Sequence, residues 1–219
     1  MKMIIFDMDG TLVNSGSSIA NCINYVRSHL GLEPMDKNFI LENVNDININ
    51  SAEFFYNSKT FTPKVTELFE DFYSKNCLVD LHLYDGVKEL LDDLKGEFKF
   101  SVATNANSDY ARKMLGHLEI DRYFNSILGY NDVSAPKPKP DMINRILDLN
   151  SIKKENAQLF GDSTKDTIAA FNAGVDGVLV NWGFSNHNEG AISNIDELRR
   201  EIEKKFRLWT NLCLKTEAS

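Results

Sequence analysis

The apolar run Met3-Ile4-Ile5-Phe6 ends in two carboxylates, Asp7 and Asp9, followed by Gly10 and Thr11. A short, partly β-branched run of this kind reads as a buried strand of a parallel sheet. Such sheets bind ligands beyond the carboxyl ends of their strands, so Asp7 stands at the mouth of a crevice. Asp9 faces the same way, because side chains alternate along an extended chain. Gly10 lets the backbone turn sharply away. Asp-Gly is equally an ordinary hairpin signal. That accounts for Gly10 but leaves unexplained why Asp7 closes the apolar run.

More polar residues follow later predicted strands. Thr104 and Asn105 come after Phe98–Ala103, and Lys137 sits in the Pro136–Pro140 loop that follows Ser126–Leu128. Gly161, Asp162, Ser163 and Asp166 follow Gln158–Phe160. Read singly, Thr104-Asn105 is a turn or helix cap, Lys137 a solvated lysine, and Gly161-Asp162 a strand-ending turn. Asp166 alone could simply favour a helix N-terminus by its charge. In order, each just past a strand, they face one crevice. Carboxylates, an ammonium, a hydroxyl and an amide together suit phosphoryl transfer. Clustered carboxylates need a cation between them, and Mg²⁺ is the hard, oxygen-loving candidate. An Asp can attack phosphorus and hold the group covalently. Lys137 would offset its charge, and the Thr104 hydroxyl and backbone N–H groups would bind its oxygens.

The elements that must position these residues alternate. Beyond Tyr84, helices are predicted over about 86–94, 108–118, 141–149 and 164–173, the last closed by Gly174. Strands are predicted over 98–103, 126–128, 158–160 and 178–180, and a final amphipathic helix begins near Asp196. Strands alternating with helices imply βαβ units and a parallel sheet covered on both faces. From about Ser15 to Leu83 the chain reads as all-helical, with no strand. Ser15 or Ser17 caps a first helix, Asp36 starts a short second one, and Thr62-Pro63 opens a third. The Asn-rich piece 43–50 reads as loop or frayed helix. The predicted fold is therefore α/β: a doubly wound, Rossmann-like parallel-sheet core with a small all-helical cap inserted after the first strand. The core would comprise 1–14 and 84–219 and the cap 15–83, hinged near Asn14 and Leu83.

Bulk properties narrow the partners. The chain has 219 residues, 42% of them hydrophobic, enough for one sizeable core with a small second domain. Its net charge of −8 weighs against nucleic acid and anionic membranes. Cys22, Cys77 and Cys213 are odd in number and far apart, which fits reduced thiols. His29, His82, His117 and His187 have no metal-ligand spacing. No run is long enough to span a membrane, and a cytoplasmic location is expected. Phe206, Leu208, Trp209 and Leu212 on the last helix are expected to pack on the core, with a frayed tail at 215–219.

With these residues placed, the chain resembles the haloacid dehalogenase-like (HAD) superfamily over nearly its whole length. The matching motifs are Asp7-Met8-Asp9-Gly10-Thr11, Thr104-Asn105, Lys137 in Lys137-Pro138-Lys139-Pro140, and Gly161-Asp162-x-x-x-Asp166. The helical insert corresponds to the superfamily's C1-type cap. Tyr84-Asp85-Gly86-Val87 and Trp182-Gly183-Phe184 echo its phosphoglycolate phosphatase-like branch, with Asp85 where Pro is common. The resemblance implies a phosphoric monoester hydrolase with Asp7 as nucleophile and Asp9 as general acid and base. It implies Mg²⁺ held by Asp7, the Asp9 carbonyl and Asp162. Thr104, Asn105 and Lys137 would bind the phosphoryl group, and Asp166 would orient Lys137 or a metal-bound water. The implied substrate is a small phosphorylated metabolite: phosphoglycolate, a sugar phosphate or a nucleoside monophosphate. A phosphomutase like β-phosphoglucomutase uses the same two aspartates, and a catalytically idle binding protein is the other alternative. The implied assembly is a monomer or homodimer.

Overall fold

Five parallel strands in the order β5-β4-β1-β6-β7 carry the candidate residues at one end. The computed structural model describes residues 1–184 and 190–216, with side chains described to Phe206. The first strand, β1 (Lys2–Phe6), is central, and its Met3–Phe6 are buried. Its alternation divides the core. Ile4 and Phe6 face one apolar cluster, and Met3 and Ile5 face another. A strand buried on both faces needs no polar residue until it ends, which is why the run is continuous as far as Asp7.

The chain next forms β2 (Val13–Asn14) and four helices: α1 (Gly16–His29), α2 (Lys37–Val44), α3 (Ser51–Tyr56) and α4 (Pro63–Asn76). It returns through β3 (His82–Leu83). There follow α5 (Val87–Leu94), β4 (Phe98–Ala103), α6 (Ser108–His117), β5 (Phe124–Leu128) and α7 (Asp141–Asn150). The last elements are β6 (Ala157–Gly161), α8 (Thr164–Ala173), β7 (Asp176–Leu179) and α9 (Ile195–Thr216). Helices α5, α6 and α9 cover the Phe6 face, and α7 and α8 cover the Ile5 face. The predicted doubly wound α/β core is the observed one.

Three expectations need correction. The stretch read as strand-free contains His82–Leu83, which pairs antiparallel with Val13–Asn14. A two-residue ladder whose partner lies across the whole insert leaves no local periodicity to read. Helix α3 went unread because six residues are too few to show a helical period. Its signal is Asn50, whose side chain accepts from the N–H groups of Ala52 and Glu53. Ser15 occupies the N-cap position of α1 but makes no side-chain cap bond; its hydroxyl serves the site instead. The other caps are as read: Asp36 accepts from Asn38 and Phe39, and Thr62 accepts from Val65 ahead of Pro63.

Phe206 packs edge-on against Phe98, ring centroids 5.1 Å apart. The side chains of Cys213, Leu208, Trp209 and Leu212, together with His187 and the end of the 215–219 tail, lie outside the described residues. Among the described residues no helix is long and apolar enough to cross a membrane.

Candidate active site

Each strand end delivers its residues to one place. Asp7 continues β1 by one residue, its N–H donating to the Phe160 carbonyl of β6 at 2.8 Å. The chain then curls tightly, with the N–H groups of Thr11, Leu12 and Val13 all directed at the Met8 carbonyl. Gly10 makes this possible. Its φ is +83°, and a Cβ there would lie 2.2 Å from an Asp162 carboxylate oxygen. Thr104 ends β4, buried, and its hydroxyl accepts from the Ala106 N–H at 3.0 Å.

Lys137 comes from a loop rather than a strand end, and Asn105 fixes it. The Asn105 amide nitrogen donates to the Lys137 carbonyl at 2.9 Å, and its amide oxygen accepts from the Lys137 N–H at 3.0 Å. Both ends of the Asn105 side chain are thus committed to the Lys137 backbone. The Lys137 ammonium reaches inward to Asp7 at 2.6 Å and Asp166 at 2.5 Å. All three groups are buried.

Asp166 is held twice. One oxygen takes Lys137, and the other accepts from the Ser163 N–H at 3.1 Å, closing a capping box at the start of α8. Asp162, fully buried, accepts from the Phe184 N–H at 2.8 Å and meets the Asn45 amide at 3.5 Å. Ser15 donates to Asp9 at 2.5 Å. The turn after β7 leans on the same place. Trp182 donates its indole N–H to the Thr11 carbonyl, and a Cβ on Gly183 would stand 2.2 Å from the Gly10 carbonyl.

Burial governs the electrostatics. It is the largest influence on Asp7; the Lys137 ammonium opposes it, the Asp166 and Asp162 charges add to it, and the net shift is well upward. Asp9 is likewise raised by burial, against the Ser15 hydrogen bond. Burial disfavours the Lys137 ammonium too, but the Asp166 and Asp7 carboxylates outweigh it, so its pKa is raised. Burial lowers that of Lys165.

The site fits a hard divalent cation. Carboxylate oxygens of Asp7, Asp162 and Asp166 lie within 4.8 Å of one another, and one ammonium among them leaves the cluster with excess negative charge. All the available donors are oxygens, the set that Mg²⁺ takes.

All seven residues singled out in the sequence, Asp7, Asp9, Thr104, Asn105, Lys137, Asp162 and Asp166, therefore lie at one end of the sheet or on the loop tied to it. Ser15, Gly183, Asn45 and Lys165 were not foreseen there. Ser15 reads as a cap, and Gly183 enters the sequence reading only as part of Trp182-Gly183-Phe184 in the family resemblance. Nothing local distinguishes Asn45 or Lys165.

The arrangement is that of a hydrolase built on a doubly wound sheet. The model of the haloacid dehalogenase-like hydrolase family matches residues 4–180, and the chain belongs to that family. It is 29% identical over 210 residues to a phosphoglycolate phosphatase of Vibrio parahaemolyticus, covering 90% of each chain. It is 30% identical over 203 residues to a phosphoglycolate phosphatase of Photorhabdus laumondii, covering 90% of this chain and 87% of the relative. Among solved structures, one described as a predicted phosphatase from Clostridium acetobutylicum superposes with a TM-score of 0.83. That pair is 25% identical, over 93% of this chain and 98% of the other.

Proposed function

We propose that the protein is a Mg²⁺-dependent phosphatase that hydrolyses a small phosphomonoester through a phosphoryl group carried on Asp7. The observation that carries this reading is the buried Lys137 ammonium bridging Asp7 and Asp166, with Asp162 beside them. A carboxylate paired with a fixed ammonium is a nucleophile whose product charge is already compensated. The names of the relatives support phosphate ester chemistry.

The Lys137 ammonium opposes the effect of burial on Asp7, and a bound cation would oppose it further, so the attacking form is the carboxylate. An Asp7 oxygen attacks phosphorus, and the bond from phosphorus to the ester oxygen breaks. Asp9, whose raised pKa favours its acid form, gives its proton to the leaving oxygen. Asp9, now ionised, takes a proton from water. The water oxygen attacks phosphorus, the bond to Asp7 breaks, and inorganic phosphate leaves with the Asp7 carboxylate restored. Lys137 holds Asp7 in place and offsets the charge on the transferring group, while Asp166 aims Lys137. The Thr104 hydroxyl and the backbone N–H groups after it bind the phosphoryl oxygens. Asn105 acts through its grip on Lys137. Asp7, the Asp9 carbonyl and Asp162 would hold Mg²⁺, which when bound supplies positive charge against the phosphoryl oxygens.

Residues 15–83 serve as a cap over a core of 1–14 and 84–219, and β2 pairing with β3 ties the two connecting strands together. Side chains of the cap select the leaving group. Phosphoglycolate, hexose phosphates and nucleoside monophosphates are the substrates to try first. The test is phosphate release from such a panel with and without Mg²⁺. Asp7→Asn is expected to lower release by about 10⁴-fold or more while leaving the fold intact. Release by that variant at the native rate would refute the nucleophile, and release indifferent to chelation would refute the metal.

A further inference from the structure

The insert meets the sheet along two unequal seams. On the α4 side the contact is apolar and deep. Cys22, Tyr73, Cys77 and Leu81 belong to the same buried cluster as Phe6, Phe100 and Met114. The Tyr73 ring meets that of Tyr110 edge-on at 5.5 Å, and Lys113 donates to the Ser74 carbonyl at 2.6 Å. On the α2 side the insert keeps a separate core of its own, built on Ile23, Val26, Ile40 and Phe55. Among the described residues, two long polar contacts join it to the site floor there. The Lys165 ammonium points at the Val44 carbonyl at 3.4 Å, and the Asn45 amide at Asp162 at 3.5 Å.

Lys165 suits this position by charge. Val44 is the last residue of α2, whose closing carbonyls carry partial negative charge and whose last turn has no basic residue. The core supplies the cation that the helix lacks. Among the described residues, no carboxylate stands within 4.0 Å of the Lys165 ammonium. Its hold on α2 is therefore not in competition with an ion pair.

From this asymmetry we infer that the insert opens along its α2 edge about a fixed α4 seam, and that Lys165 and Asn45 are the positioning residues that latch that edge over the site. Long, part-buried polar contacts release at small cost, whereas freeing Tyr73 would expose a buried aromatic ring. Asn45 also carries the state of the floor to the insert, since its partner is Asp162. The inference rests on the cap reading above, but its test needs no turnover.

The experiment is hydrogen exchange read by mass spectrometry on the full chain, comparing native protein with Lys165→Met, Asn45→Ala and Lys165→Arg. Lys165→Met is expected to raise exchange in α2 and α3 roughly fivefold, the order expected for loss of one ordinary hydrogen bond. Asn45→Ala acts in the same direction. Exchange in α4 stays at the native rate, and Lys165→Arg restores protection of α2. Unchanged exchange in α2 for both neutral variants would overturn the latch. An equal rise in α2 and α4 would overturn the fixed seam. A protein that releases no phosphate from any ester, yet shows the α2-limited rise, would refute the phosphatase reading and leave the latch standing.

Discussion

The catalytic end of the sheet and the helical insert are held together by different physics. At the sheet end Asp7, Lys137 and Asp166 are buried and bonded to one another, with Asn105 gripping them from an exposed position. Asp7 and Asp166 share Lys137, Lys137 is gripped by Asn105, and Asp166 closes its own capping box. In the insert the organising contacts are aromatic and aliphatic. Phe54 stands edge-on to Phe55, and Tyr25 lies against Phe72, while Phe39 and Phe61 remain largely exposed. A closed network of charges tolerates little displacement, because each unpaired buried charge is costly. An apolar cluster tolerates repacking more readily. Under the proposed function, this difference would place the fixed chemistry in the sheet and the adaptable recognition surface in the insert.

Substitutions can break that contrast. The largest effect is expected from Lys137→Met, which leaves Asp7 and Asp166 facing each other without a cation. Turnover should fall by about 10²–10³-fold, as for loss of a preorganised electrostatic group. Stability should fall by about 3–5 kcal/mol, as for a buried pair deprived of one partner. Denaturant unfolding and steady-state rates check both figures. A variant with native turnover would mean that the network does not serve the chemistry.

Phe55→Ala is the corresponding change in the insert. Loss of a buried ring should cost about 3–5 kcal/mol, concentrated in α1–α3. KM should change more than kcat for a small ester. A drop in kcat alone would deny the division between sheet and insert.

Ser15→Ala is the smallest perturbation, and it sits where the insert begins. The Ser15 hydroxyl stabilises the charged form of Asp9, so its removal raises the Asp9 pKa further. The limb of the pH–rate profile that reports Asp9 should move to higher pH. Movement to lower pH would contradict the assignment.

The sheet was legible in the sequence because its strands are buried on both faces and end abruptly in polar residues. Met3–Phe6 before Asp7, and Gln158–Phe160 before Asp162, show both features. The spacing from Asp162 to Asp166 is legible through the family resemblance, and the structure adds a local reason for Asp166, which closes a capping box with Ser163 at the start of α8. What escaped depends on contacts distant in sequence. Asn105 is placed at the site by the sequence, but its grip on the Lys137 backbone appears only in three dimensions. The need for Gly183 appears only when the last turn is found against Gly10 and Asp162. Ser15 satisfies every rule for a cap and is drawn away by a carboxylate whose position depends on the strand before it.

Rapid acid quenching shows whether Asp7 carries the phosphoryl group. Protein mixed with Mg²⁺ and its best ester would be quenched within the first turnover, digested and mapped by mass spectrometry. One added phosphoryl group is expected on the peptide containing Asp7, absent from Asp7→Asn. A phosphoryl group on any other residue, or none at any quench time while phosphate is being released, would contradict it.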